Sequence, residues 1–325
     1  MISFTETLSI IKQGIQDIYY PEQPSNLYTP ISYLLDLKGK KVRPALTLLT
    51  YNLYKENIKE ALPMALAWEI FHNFTLMHDD VMDNADVRRG QPTVHKKWDE
   101  NTAILSGDSM LILAYQYALK SPAKDIRALL NLFSKTAMEI CEGQQYDMEF
   151  EFRSDVTEEE YLKMIRLKTA VMLGGASQSG AMIAEASEKD SQALYDFGIN
   201  LGLAFQIQDD ILDVYGNSSV FGKNIGGDIL CGKKTYLLTS AMSLSDKNTR
   251  KELIDWLNYK EEGKEKIKIE AVTAIYDKLL IKEKAYSKKE SFYEKALQAL
   301  DEVSVPDNKK EVLRKLAADL MERNS

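Results

Sequence analysis

Apolar residues along this chain recur at spacings of three, four and seven, the mark of helices that bury one face. After Pro63, Leu66, Ile70, Met77 and Val81 fall four or seven residues apart within an apolar-rich stretch. Proline suits a first helical turn, so the pattern predicts a helix beginning there and running to Val81. A second helical stretch covers Ala103 to Leu119 and is stopped by Ser121-Pro122. Leu129 to Gln145, Glu158 to Ala186 and Asp190 to Val214 read the same way, the last ending near Gly216. No segment alternates with the period of two that a half-buried strand requires. From Asp246 to Ser325, Lys and Glu stand at helix-pair spacings, which predicts charged helices in a solvated outer layer. The expected class is all-α.

Composition adds the scale. The chain has 325 residues, 45% hydrophobic and 28% charged, enough for one large core. Its 16 glycines and 8 prolines form no linker, and no low-complexity run or solenoid repeat interrupts the pattern. A single all-helical domain over residues 1–325 is therefore expected. Met1 to Tyr20 lacks a basic segment followed by an apolar core, and no run of apolar residues is long enough to span a membrane. Cys141 and Cys231 are the only cysteines, too few for a disulfide framework. A cytoplasmic protein is the simplest expectation. A net charge of −8 argues against general nucleic-acid binding. It also means that any anionic ligand needs a local source of positive charge.

Two segments carry the most information: Asp79-Asp80-Val81-Met82-Asp83 and Asp209-Asp210-Ile211-Leu212-Asp213. Both read Asp-Asp-x-x-Asp, and both end apolar helical stretches. Residues four apart share a helix face, so Asp79 projects beside Asp83 and Asp209 beside Asp213. Like charges so placed repel unless cations neutralise them. Oxygen-only ligands suit hard divalent ions, and Mg²⁺ shares its shell with waters and substrate phosphates. An EF-hand is excluded, because its Gly-centred loop and terminal Glu are missing.

Basic residues stand near these acids in the pattern. Gly39-Lys40-Lys41-Val42-Arg43-Pro44 puts Lys40 and Arg43 on one helix face, and Arg88-Arg89-Gly90 follows the first cluster. Lys168-Thr169 lies mid-helix among apolar residues; Phe221-Gly222-Lys223 and Gly232-Lys233-Lys234-Thr235 follow the second cluster. Arginine offers a fork matched to phosphate oxygens and lysine a compact charge. With two metal sites, these residues suggest a pocket for two polyphosphate groups.

In this order, Gly-Lys-x-x-Arg-Pro, His-x-x-x-Leu-x-His-Asp-Asp-x-x-Asp, Arg-Arg-Gly, Lys-Thr, Phe-Gln-x-x-Asp-Asp-x-x-Asp, Phe-Gly-Lys and Gly-Lys-x-Thr, the motifs resemble those of the trans-isoprenyl diphosphate synthases. The resemblance runs from Gly39 to Thr235. It implies the isoprenoid synthase fold, a bundle of long antiparallel helices around a central cavity, in a homodimer. It implies condensation of isopentenyl diphosphate with an allylic diphosphate (dimethylallyl, geranyl or farnesyl). By the same resemblance Asp79, Asp80, Asp83, Asp209, Asp210 and Asp213 flank three Mg²⁺ ions, with Mn²⁺ as a substitute, on the allylic diphosphate. Lys40, Arg43, His72 and Arg89 match positions that hold isopentenyl diphosphate. Arg88, Lys168, Lys223 and Lys233 match those that hold the allylic diphosphate, and Thr169 and Gln206 those near the reacting carbons. The family often has two glycines before the first lysine, and here Lys38 replaces the first. His78 is not a usual ligand and reads as a packed histidine behind the first cluster.

The chemistry so implied is ionisation, condensation and elimination in a dry site. The glycine-bearing loop from Tyr215 to Gly232 is expected to close over it. Class I terpene cyclases share the aspartate logic, but they usually alter the second cluster and need no isopentenyl diphosphate pocket. Non-catalytic subunits of hetero-oligomeric synthases tend to lose one cluster; both are intact here. Product length is implied by Phe71, Phe74 and Thr75, one to two turns before the first cluster. Helical geometry alone favours Thr75, so the choice of Phe74 as the floor rests on the resemblance. An aromatic there resembles geranylgeranyl-type synthases, which implies a C20 product, with farnesyl diphosphate next.

Overall fold

Capping chemistry written in the sequence sets where several of the helices start. Ser3 and Thr157 each form a capping box with the Glu three residues on, and Asp99, Thr235 and Asp246 accept from first-turn amides. The computed structural model describes residues 1–216, 225–261 and 263–322. Its helices are α1 (Phe4–Gln16), α2 (Ser25–Asp36), α3 (Val42–Asn52), α4 (Leu62–Met82), α5 (Val94–Lys97), α6 (Glu100–Leu119), α7 (Ile126–Glu151), α8 (Glu158–Ile165), α9 (Val171–Ile183) and α10 (Glu188–Tyr215). They continue with α11 (Gly227–Cys231), α12 (Tyr236–Leu244), α13 (Lys247–Leu257), α14 (Glu265–Lys278), α15 (Ile281–Asp301) and α16 (Asp307–Met321). The all-α expectation holds, and Pro63 sits in the first turn of α4 as predicted.

Two local features depart from the periodic reading. The stretch expected as one helix over Glu158–Ala186 is broken by a π turn, Arg166–Ala170, between α8 and α9. A hairpin also appears: β1 (Val87–Arg88) pairs antiparallel with β2 (Gln91–Pro92). Its turn residues, Arg89 and Gly90, both have positive φ, 54° and 76°. That is the backbone a two-residue hairpin turn requires. Strands this short carry too few positions to show a period.

Packing divides the chain into two compact units, one of Met1–Ser134, Gly175–Tyr195 and Val303–Leu313, the other of Lys135–Gly174, Asp196–Glu302 and Arg314–Ser325. In the first, α4 is buried nearly all round, with Met64, Ala65, Ala67, Trp68, Ile70 and Phe71 at 1% exposure or less. A helix apolar on every face belongs at the centre of its unit. Trp68 donates to Ser179 Oγ (3.0 Å). In the second, α10 contributes Phe197, Leu201, Ala204, Ile207 and Ile211, all fully buried. Glu158, at the start of α8, holds Lys284 of α15 (2.6 Å) and the Tyr236 hydroxyl of α12 (3.1 Å). The charged tail is amphipathic rather than wholly solvated: Ile281, Ala285, Ala296 and Leu300 of α15 are buried, as are Lys268 and Lys289.

Candidate active site

Lys41, ahead of α3, takes a left-handed backbone (φ 50°, ψ 35°) uncommon outside glycine. Its ammonium folds back to Glu69 of α4 (2.8 Å) and to the Leu35 carbonyl (3.2 Å). Glu69 is buried and also accepts from the Asn73 amide. This tie joins the end of α2, the start of α3 and the middle of α4. On those elements Arg43 Nη1 meets His72 Nε2 at 3.3 Å. Burial, then the fields of Arg43, Arg89, Arg88 and Lys41, holds His72 well below the usual histidine range, so it is neutral. Burial lowers Arg43 to about 10 against the pull of Glu69, leaving it charged, and its Nε is buried without a partner. Lys40 is exposed. A Cβ on Gly39 would stand 2.9 Å from the guanidinium carbon of Arg89, whose flexible side chain packs against this glycine. The exposed Lys38 takes the place of the motif's other glycine without conflict.

The hairpin turns Arg88 onto Asp80, Nε to Oδ2 at 2.8 Å and Nη2 to Oδ1 at 2.7 Å, a fork closing on a carboxylate that is 1% exposed. Asp79 is half-buried and Asp83 exposed. The second cluster repeats the division. Asp210 is 2% exposed and accepts from the Tyr161 hydroxyl (2.5 Å) and the Tyr236 amide (2.9 Å). Burial pushes its carboxyl up to about 7 despite those bonds. Asp209 and Asp213 are less buried, and Asp213 accepts from the Asp228 amide at the start of α11 (3.0 Å). In both clusters the middle aspartate, rotated about 100° from its neighbour, is bound by protein. The outer pair keeps the face that i, i+4 spacing assigned to it.

In the π turn, Lys168 Nζ reaches Asp147 of α7 (2.5 Å), and Thr169 Oγ1 donates to Gln206 Oε1 of α10 (3.3 Å). Lys233 stands 3.8 Å from Asp228. Burial would lower its ammonium pKa, but the fields of Asp228, Asp147, Asp210 and Asp213 raise it, so Lys233 is a firm cation. Lys223, with the rest of residues 217–224 in the Tyr215–Gly232 loop expected to close, lies outside the described residues. His78 is packed, as read: its Nε2 is 3.1 Å from the Ile104 carbonyl, and Gly107 leaves the space it occupies. Phe71, fully buried, stacks on Phe74 and Phe133 with centroids 5.5 Å apart in both cases, and Thr75 Oγ1 donates to the His72 carbonyl.

A pattern for polyprenyl synthetase matches residues 24–275, most of the chain. The chain belongs to the polyprenyl synthetase family. Relatives include the short chain isoprenyl diphosphate synthase of Methanocaldococcus jannaschii, 43% identical over 77% of this chain and 76% of that one. The geranylgeranyl diphosphate synthase of Methanosarcina mazei is 41% identical over 72% of each. A crystal structure of a geranylgeranyl pyrophosphate synthase, 42% identical, covers all of both chains with a TM-score of 0.95. The fold is thus the all-α isoprenoid synthase fold, and the protein is a prenyltransferase.

Enzymes of this family use divalent metal. The donor set of this polyprenyl synthetase fits such ions: carboxylates only, on one helix face in each cluster. Among the described residues no group of three or more His, Cys, Asp or Glu is preformed around an ion. Sequence reasoning missed Lys41, Glu69, Asp147, Tyr161 and Asp228. Lys41 carried a signal, as a charge beside a motif; Asp147 and Tyr161 carried none, since Asp147 stands among Glu142, Glu149 and Glu151 and Tyr161 follows Glu158, Glu159 and Glu160.

Proposed function

We propose that this synthase condenses isopentenyl diphosphate with allylic diphosphates and delivers geranylgeranyl diphosphate, with farnesyl diphosphate the next product in order. The observation that carries this reading is the cationic pocket of Arg43, neutral His72 and Arg89, with an unpartnered buried donor on Arg43. It offers cationic side chains for a second, metal-free diphosphate. The relatives named geranylgeranyl diphosphate synthase support the product.

In this reading Asp79 and Asp83, and Asp209 and Asp213, hold Mg²⁺ on the allylic diphosphate, or Mn²⁺ in its place. Asp80 and Asp210 act by holding Arg88 and Tyr161. Bound ions supply positive charge where the leaving diphosphate becomes negative. Arg88, Lys168, Lys223 and Lys233 bind and orient that diphosphate. Thr169 and Gln206 turn their dipoles toward the allylic carbon as it gains positive charge, while Lys40, Arg43, His72 and Arg89 fix isopentenyl diphosphate for attack. Phe71, Phe74 and Thr75 limit the product. Leu105, Ile112 and Leu119, spaced by seven on α6 and 58–61% exposed, form an apolar stripe that supports a homodimer. Helices α7, α9, α10 and α16 each contribute to both units, which supports one folded domain.

Asp79→Ala and Asp209→Ala should each lower turnover by about 100-fold or more at saturating Mg²⁺ with helical content unchanged. A near-normal rate in either variant overturns its assignment as a metal ligand.

A further inference from the structure

The π turn that presents Lys168 and Thr169 is touched by two helices at points where only glycine fits. A Cβ on Gly143 of α7 would stand 2.2 Å from the Lys168 amide nitrogen and 2.7 Å from its Cα. A Cβ on Gly202 of α10 would stand 2.6 Å from Ala170 Cα and 2.9 Å from its Cβ. These neighbours are backbone, or fixed to it, and cannot swing aside as a long side chain can. Each glycine is followed four residues later, on the same helix face, by the polar residue that catches a side chain of the turn. Gly143 precedes Asp147, which holds Lys168 (2.5 Å), and Gly202 precedes Gln206, which meets Thr169 (3.3 Å). The same register thus occurs twice, Gly143-Gln144-Gln145-Tyr146-Asp147 and Gly202-Leu203-Ala204-Phe205-Gln206. The glycine admits close approach of the backbone, and the polar residue one turn on takes up the exposed group.

We propose that Gly143 and Gly202 are positioning residues for the allylic half-reaction, setting through the π turn the height and direction of Lys168 and Thr169. A π turn places its residues off the ordinary helical register, so the side chains it presents depend on what grips its backbone. Adding one methyl at either contact pushes the turn by several tenths of an ångström or more. Displacements approaching 1 Å can cost about 100-fold in rate when the displaced group aligns a reacting centre. Gly198 supplies an internal control. Its Cβ would stand 2.4 Å from the Leu173 carbonyl oxygen, an equally tight contact on α10, but one made beyond the π turn. This inference rests on the synthase reading given above.

Steady-state kinetics with each substrate varied in turn tests it on Gly143→Ala, Gly202→Ala and Gly198→Ala, with thermal melting of each. For Gly143→Ala and Gly202→Ala the expected result is a KM for the allylic diphosphate raised about fivefold or more and kcat lowered about tenfold or more. The KM for isopentenyl diphosphate should stay at the wild-type value. Gly198→Ala should melt earlier yet keep both KM values. If Gly202→Ala does not fold, Ala170→Ser, which adds one atom on the other side of the same contact, should give the same split with a smaller rise. Unchanged allylic KM in the folded variants, or the same rise in Gly198→Ala, overturns the inference. Wild-type enzyme and Lys168→Ala in the same assay separate this from failure of the underlying reading. A wild type without turnover, or a Lys168→Ala enzyme with unaltered allylic kinetics, would show that the reading itself is wrong.

Discussion

At the scale of single residues, burial sorts the two Asp-Asp-x-x-Asp segments into parts with different work. The middle carboxylates are 1% and 2% exposed and committed to protein donors, while the outer ones retain access. Spacing put the outer pair of each segment on one helix face but did not show what the middle residue meets, Arg88 in one case and Tyr161 in the other. His72 shows the same dependence on surroundings. Burial and four cationic neighbours hold its folded pKa well below the usual value, so the native protein does not take up this proton where the unfolded chain does. The sign follows: unfolding binds a proton once the pH drops below about 6.5, and stability is lost as pH falls below that value. Melting of the ligand-free protein from about pH 7 to about pH 5 should therefore decline more steeply in the wild type than in His72→Gln. Equal slopes would show that His72 titrates normally in the folded state.

At the scale of elements, long apolar helices were legible and short devices were not. The spacing of Leu66, Ile70, Met77 and Val81 predicted α4 because burial imposes its period over many turns. The π turn at Lys168 and the hairpin at Arg89 are set by packing and by a few φ angles, which leave no period to read. Lys41 was legible only as a charge beside Arg43, since its partner Glu69 lies 28 residues away on another helix. That tie yields a stability prediction. Glu69→Ala strands the Lys41 ammonium and removes an acceptor from Asn73, which should cost about 3 kcal/mol in denaturant unfolding. Lys55→Ala, breaking the exposed pair with Glu185, should leave the midpoint unchanged within error. If both substitutions cost the same, the buried tie is not a special support. On α4, Phe74 stands five residues before Asp79, about 7.5 Å along the axis. Phe74→Ala should extend products beyond those of the wild type by at least one prenyl unit, as sized by chromatography. An unchanged distribution in both Phe74→Ala and Phe71→Ala would move the floor to another helix.

At the scale of the whole molecule, an acidic chain handles anions by concentrating cations locally. The net charge of −8 coexists with a site in which burial, reinforced by Arg43, Arg89, Arg88 and Lys41, keeps a histidine neutral. Hydrophobic periodicity announced the helical class and the motif order announced the chemistry. Neither carried the pairings that pre-set the site, because those join residues far apart in sequence. Among the described residues no helix is long and apolar enough to cross a membrane. The most direct test of the account is incubation of the purified chain with Mg²⁺, labelled isopentenyl diphosphate and each allylic starter in turn, followed by sizing of the products. The account predicts incorporation from dimethylallyl, geranyl and farnesyl diphosphates alike, with geranylgeranyl diphosphate as the main end product; no incorporation from any starter would contradict it.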